Sequence, residues 1–153
     1  MMKISRLSGQ VSNELIQLLL LADPNIDAIN EYLPNAFILV AQQQALEVGV
    51  GVLLKRNDHV YEIKNIAVNE AYQGRGIGKK LVKALVAVAA EKGAKRVEVG
   101  TGNSSISQLA FYQKCGFKFD RIVKGFFDAY PEPIYEDGIR CRDMVYLSTD
   151  ISR

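Results

Sequence analysis

Gly74, Gly76 and Gly78 alternate in a stretch that also carries Arg75, Lys79, Lys80 and Lys83, with no acid between residues 71 and 90. The run after the glycines has helical spacing, with Ile77, Leu81 and Leu85 on one face, and Glu91-Lys92-Gly93 ends it. Cations at the start of a helix are unfavourable, because the unpaired N–H groups there already carry about half a positive charge. Crowding lysines onto that end, and removing side chains just before it, suits a bound anion. Backbone N–H groups freed of Cβ atoms can close round phosphate oxygens, and the helix dipole adds to the attraction. Two common phosphate motifs do not fit. A P-loop needs Ser or Thr after its Lys, whereas Lys80 follows Lys79; and Gly76-Ile77-Gly78 continues into Lys79-Lys80-Leu81 without the final glycine of a dinucleotide fingerprint.

Gln73-Gly74-Arg75-Gly76-Ile77-Gly78 resembles the Q/R-x-x-G-x-G/A signature of the GNAT superfamily of acyl-CoA-dependent N-acyltransferases. Further on, Phe111-Tyr112-Gln113-Lys114-Cys115-Gly116-Phe117 resembles that superfamily's second recurrent segment, F/L-Y-x-x-x-G-F. Two such segments in the right order are far more specific than either alone. The resemblance spans roughly residues 46–123 and implies acetyl-CoA or coenzyme A as the cofactor. It implies contacts from Ile66, Ala67 and Val68 at the end of the fourth strand, and from Gln73, Gly74, Arg75, Gly76, Ile77, Gly78 and Lys79 in the turn. Val68 matches the position whose backbone binds the pantetheine arm. Tyr112 matches the residue that meets the departing thiol. The family pattern places Asn where this chain has Ser105, and Asn103 lies close by, so either is a candidate cofactor contact.

Acyl transfer from a thioester to an amine needs a held cofactor, a polarised carbonyl, a neutral amine and a stabilised thiolate. Proton transfer from a phenol of pKa about 10 to a thiolate of about 8.5 is uphill by about 2 kcal/mol. Tyr112 is therefore cast as a hydrogen-bond donor. Two carboxylates are candidates for the base. Glu98 stands near where the ribosomal-protein N-terminal acetyltransferases carry theirs, and Glu62 where other members of the superfamily do. Cys115, beside a helix-ending glycine, reads as core filler rather than as a nucleophile.

The elements that must position these residues can be read in order. Residues 3–6 suggest a strand, Ser12 or Asn13 a helix cap, and Asp23-Pro24 a second helix reaching Tyr32. A strand at 36–41 precedes strict alternation from Leu46, with Val48, Val50, Val52 and Leu54 on one face and Gly49 and Gly51 on the other. Two glycines on one face suggest that something packs or binds closely there. The strand at 60–68 changes phase: Tyr61 and Ile63 share one parity, Ile66 and Val68 the other, which predicts a bulge near Lys64 and Asn65. A fifth strand is expected at 96–100 and a helix at 106–115 with Ile106, Leu109 and Ala110 inward, stopped by Gly116. Two strands, 117–123 and 142–148, pair antiparallel across a loop, 126–138, in which Phe126, Phe127, Tyr130 and Tyr135 are interleaved with Asp128, Glu132, Glu136 and Asp137. That acidic, aromatic segment predicts a cationic acceptor. It also loosely resembles the end of the ribosomal-protein enzymes.

At 153 residues the chain is expected to be a single domain over 1–153. The expected fold class is α/β (α+β): a GNAT fold with a mixed, mostly antiparallel sheet of about six or seven strands, about four helices, and strands four and five splayed. A net charge of +2 argues against nucleic acid, and one His with Cys115 and Cys141 far apart argues against a metal site. The apolar run at 15–22 is too short to cross a membrane and the N-terminus lacks a signal-peptide core, so a reduced cytoplasmic home is the default. The expected reaction is acetyl transfer to a primary amine, small molecule or peptide, in a ternary complex; a homodimer is allowed. The alternatives are an N-terminal (ribosomal-)protein acetyltransferase and a non-catalytic acyl-CoA sensor on the same fold.

Overall fold

Alternating apolar residues build the centre of a seven-stranded sheet, ordered β1-β2-β3-β4-β5-β9-β6. The structure, a computed structural model, describes residues 2–151. β1 is Met2–Arg6, β2 Phe37–Gln43, β3 Leu46–Lys55, β4 Val60–Val68 and β5 Arg96–Gly102; β6 is Lys118–Val123 and β9 Met144–Asp150. Every neighbouring pair is antiparallel except β4 and β5, which run parallel because α3, Ile77–Glu91, crosses over between them. A short hairpin, β7 (Ile134–Glu136) and β8 (Ile139–Cys141), lies outside the main sheet; it begins in the segment expected to be a loop and runs past its end. Asp137 and Gly138, both at positive φ (51° and 75°), make the tight turn that a two-residue hairpin requires.

Helices cover both faces of the sheet. α1 (Asn13–Ala22) is capped by the Ser12 hydroxyl, which accepts from Leu15 N–H at 3.1 Å. α2, Ile26–Tyr32, starts later than Asp23-Pro24 suggests, because Asn25 is the residue that accepts from Asp27 and Ala28 N–H. Leu15, Leu19, Ile29 and Tyr32 from these helices pack on Val50, Val52 and Ala67. On the opposite face, α3 packs through Ile77, Leu81 and Leu85 with Leu53, Ile63, Val97 and Val99. Gly49 and Gly51 are what let α3 approach. A Cβ at Gly49 would lie 3.1 Å from a Leu81 methyl, and one at Gly51 only 2.9 Å from Leu85.

α4, Ile106–Lys114, ends in a Schellman stop. Gly116 takes φ 95°, Phe117 N–H donates to Tyr112 O at 3.0 Å, and Gly116 N–H donates to Gln113 O at 3.0 Å. The expected inward face of this helix holds at Leu109, which packs on the core, and fails at Ile106 and Ala110. Ile106 is half exposed and Ala110 exposed, whereas Tyr112 is buried with Phe117. The Tyr ring is mostly hydrocarbon, so its hydroxyl misleads a polarity pattern, and the stop pulls Tyr112 and Phe117 inward together.

Gly51→Ala tests the fit between α3 and the sheet. Crowding a methyl against Leu85 should cost about 1–3 kcal/mol, lowering the melting temperature by about 2–4 °C per kcal/mol. An unchanged denaturation midpoint would show that α3 moves aside freely.

Candidate active site

One extra residue in β4 opens the site. Val52 pairs with Asn65 but Leu53 pairs with Ile63, so Lys64 has no partner on β3, and the bulge expected from the phase change is present. Pairing with β5 ends just there: Glu62 lies beside Glu98 and Ile63 beside Val99, and no β4 residue after Ile63 pairs with β5. Beyond that point β5 continues along β9, from Gly100 beside Tyr146 to Gly102 beside Met144, while β4 continues along β3 to Val68. Asn69 N–H donates to Val48 O at 2.8 Å. By strand alternation, Ala67 then turns its amide towards β3, and Ile66 and Val68 turn theirs into the opening. The Gln73 side-chain amide donates to Val68 O at 3.1 Å and so does not occupy the Val68 N–H, which faces the opening.

The glycine turn lies at the end of this opening. Gly74 and Gly76 hold φ 80° and 79°, and nothing stands within 4 Å of where their Cβ atoms would be. The backbone is thus presented to open space, as a phosphate cradle requires. Gly76 caps α3 without a side-chain bond, and no acid stands in the first turn, where Lys79 and Lys80 do. Arg75 lies over the Tyr72 ring at 4.9 Å, and Ile77 is core. Gly78 serves packing instead. A Cβ there would meet the Phe111 ring at 3.3 Å, so its absence brings α4, and with it Tyr112, against the start of α3.

Tyr112 is 4 % exposed, held edge-on by Phe111 at 5.0 Å and Phe117 at 5.9 Å. Burial, with a smaller effect from Cys115, pushes its phenol well above the usual range. A proton held that firmly is donated in a hydrogen bond rather than released. Burial also raises the Cys115 thiol, against the pull of Lys79, which makes a poor nucleophile. Asn103 and Ser105 are engaged within the protein. Asn103 donates to Arg140 O at 3.1 Å and accepts from Arg142 and Asp143 N–H at 2.8 and 3.0 Å. The hydroxyls of Ser105 and Ser104 both donate to Glu136 Oε1, at 2.7 and 2.8 Å.

The two candidate bases stand side by side on the face that carries α1 and α2, and both are buried. They differ in how they are held. Arg121 forks Glu98, its two terminal nitrogens 3.0 and 3.4 Å from the two carboxylate oxygens. Glu62 is tied more loosely, to Arg56 Nε at 3.3 Å and Lys64 Nζ at 3.9 Å. Burial pushes the Glu62 carboxyl above its usual value; Lys64 and Arg56 oppose this and Glu98 adds to it. Arg121 also lies over the Tyr146 ring at 4.2 Å, and burial followed by the Glu62 charge raises the Tyr146 phenol. Arg56, Arg121 and Tyr146 do not stand out in the sequence. The one signal available there is parity: Tyr146 stands between the core residues Val145 and Leu147 and so shares the face of Glu98.

A sheet splayed between two parallel strands, with a glycine-turned helix start at its mouth and a buried carboxylate behind it, defines a protein that takes a nucleotide thioester and acylates an amine. The sequence profile of the acetyltransferase (GNAT) family matches residues 16–117, and the chain belongs to that family. An uncharacterised N-acetyltransferase of Bacillus subtilis, YvbK, is 47% identical over 146 residues, 95% of this chain and 94% of that protein. The crystal structure of a Bacillus subtilis acetyltransferase in complex with CoA superposes with TM-score 0.93 at 45% identity, covering 99% of this chain and 100% of that one. A GNAT family acetyltransferase from Elizabethkingia anophelis with acetyl-CoA bound gives TM-score 0.92 at 41% identity, covering 98% of each chain. The protein is accordingly an N-acetyltransferase with acetyl-CoA as its cosubstrate.

Two variants test this site. Gly76→Glu should abolish coenzyme A binding in calorimetry, because it puts a side chain and a negative charge into the cradle; retained affinity in the folded variant would remove the turn from the cofactor site. Tyr112→Phe should leave melting almost unchanged, since the hydroxyl has no hydrogen-bond partner among the described residues. Its turnover should fall by about one to three orders of magnitude, or about 1.4–4 kcal/mol of barrier. Full activity would reassign the ring to packing alone.

Proposed function

We propose that the protein moves an acetyl group directly from coenzyme A to a primary amine within a ternary complex, with Glu62 as the proton acceptor. The observation that carries this reading is the position of Glu62: buried, loosely paired, and one residue before β4 and β5 part. When bound, acetyl-CoA supplies the activated acyl carbon. Gly74, Gly76 and Lys79, with Gln73, Arg75 and Ile77 shaping the turn and Gly78 seating Phe111 against it, receive its phosphates. Ile66 and Val68 line the pantetheine path, and Val68 N–H polarises the thioester carbonyl. Glu62 takes a proton from the incoming ammonium, directly or through one water. The C–N bond then forms as the C–S bond breaks, the proton shed by the acylated nitrogen passes through water to the departing thiolate, and Tyr112 donates a hydrogen bond to that sulfur. Glu98, forked by Arg121, shapes the field around Glu62 rather than acting as the base.

The elevation of Glu62 by burial supports this role. A carboxyl of ordinary pKa, about 4.3, lies about six units below an alkylammonium near 10.4, and raising it narrows that gap. The poor reactivity of Cys115 supports direct transfer over an acyl-enzyme. A cleft of about 350 Å³ is lined in part by Tyr32, Arg56 and Lys64, the last two being the ion-pair partners of Glu62, and suits the acceptor. The two cysteines are free thiols, consistent with a reducing cytoplasm, and no helix among the described residues is long and apolar enough to cross a membrane.

The acidic segment favours a second reading, in which the acceptor carries positive charge beyond its reacting amine. Phe126, Phe127 and Tyr130 stack edge-on, at 5.0 and 5.2 Å, and Tyr130 reaches the Asn25 side chain at the α1–α2 turn. That places an aromatic wall beside the front face. Asp128, Glu132 and Asp137 are exposed on it, but Glu136 is spent on Ser104 and Ser105. Arg56 and Lys64 at the base itself work against a polycation.

One assay separates these readings: thiol release from acetyl-CoA across small amines, polyamines, amino acids and N-terminal peptides, as a function of pH and salt. Because Glu62 must be ionised to accept a proton, kcat/KM should fall as pH drops through its raised pKa. In Glu62→Gln that limb should vanish, with activity down about a hundredfold or more at the acid end and recovering as the amine itself deprotonates. Glu98→Gln should keep the limb. Retention of the limb in Glu62→Gln would hand the role to another group. A preference for polyamines that weakens with salt would establish the cationic acceptor, a preference for N-terminal peptides the protein-directed alternative. Tight acetyl-CoA binding without thiol release on any amine would mean a sensor.

A further inference from the structure

Arg121 lies in β6, with β5 and β9 between it and β4, yet it makes the tightest ion pair of the site. Glu62 and Glu98 are register partners on adjacent parallel strands, pointing to one face, so their carboxylates are neighbours with little solvent between them. Two carboxylates sharing such a place push one proton affinity up at the other's expense. The groups facing Glu62 are Lys64 on its own strand, Arg56 from the β3–β4 turn, Glu98 on β5, Arg121 on β6 and Tyr146 on β9. Arg56 and Lys64 touch Glu62 directly. Arg121 instead occupies both oxygens of Glu98 and stands over the Tyr146 ring at 4.2 Å. Asp120, 3.7 Å from the same nitrogen, is the weaker partner.

We propose that Arg121 is a positioning residue for the transfer reaction: by forking Glu98 against Tyr146 it cancels the neighbouring charge and confines the proton exchange to Glu62. This rests on the reading of Glu62 as the base. A guanidinium suits this role because it stays charged over the whole working range and offers two parallel N–H donors to one carboxylate. Lys at this position could cancel the charge but not fix both oxygens. Arg121 thereby sets the lower pH limit of activity without touching either substrate.

The test is the pH profile of kcat/KM for the full-length protein with acetyl-CoA and its best amine. In Arg121→Met the acidic limb should move up by about one pH unit or more, as expected when a like charge is uncovered. Activity would then drop about tenfold near the old limb and much less at high pH. Arg121→Lys should move it by less. The double variant Arg121→Met/Glu98→Gln should return the limb to the wild-type position, since no charge is left to cancel. A structural role alone predicts a loss that is even across pH and that the double variant does not repair; either result overturns the proposal. Should Arg121→Met fail to fold, the limb of Arg121→Lys decides, an unmoved limb counting against it. Failure of the underlying reading is separate: there the limb would survive in Glu62→Gln.

Discussion

The site exists because a parallel strand pair is allowed to come apart. A continuous β4–β5 ladder would consume every amide of both strands, since buried backbone groups are almost always paired. The unpaired Lys64 shifts the register of β4 against β3, and pairing with β5 stops at Ile63 and Val99. Neither strand loses its other neighbour: β3 holds β4 to Val68 and β9 holds β5 to Gly102. The opening is thus rigid on both sides. By strand alternation the amides at Ile66 and Val68 face that opening, which is the geometry the proposed pantetheine contact needs.

The rest of the fold keeps that opening usable. Gly49 and Gly51 seat α3 low on the sheet, so the start of the helix arrives beside the end of β4. Gly78 lets Phe111 close on that start, and the Schellman stop at Gly116 then fixes Tyr112 next to it. At the other end, the Asn103 side chain holds the β8–β9 connection by three hydrogen bonds, and Asp143 accepts from Gly125 N–H at 3.0 Å. These bonds moor the aromatic segment that walls the front face. Asn65, just past the bulge, ties β4 to Leu19 O and the Tyr32 hydroxyl at 3.1 and 3.0 Å, so the two front helices are registered on the same irregularity.

The electrostatics of the front face follow from scale. Two carboxylates on adjacent strands about 4.8 Å apart repel by about 3 kcal/mol at an effective dielectric near 20. A fold that buries both must surround them with cations, and Arg56, Lys64 and Arg121 do so. Exposed acids on the 126–138 segment act through water and salt, which screen them within about 8–10 Å. Close, buried charge therefore dominates the electrostatics around Glu62, and the exposed acids of the segment add little to it.

By itself the sequence determined the parts whose cause is local. Alternate glycines and an acid-free helix start are properties of one turn, the phase change that marks the bulge is a property of one strand, and Gly116-Phe117 is a property of one helix end. Each needs only nearest neighbours along the chain, and each is found where the residues put it. Tertiary structure alone decided what those parts meet. Glu62 and Glu98 are alike as sequence, both flanked by apolar residues on a strand. Only the arrival of Arg121 from β6 and Arg56 from a turn makes one a clamped anion and the other a loosely held one. In the same way Ile106 is left exposed and Tyr112 buried because the stop at Gly116, rather than the polarity of α4, sets which side faces the sheet. Charge and burial act through space, and contacts between strands remote in sequence carry no periodic signature along the chain.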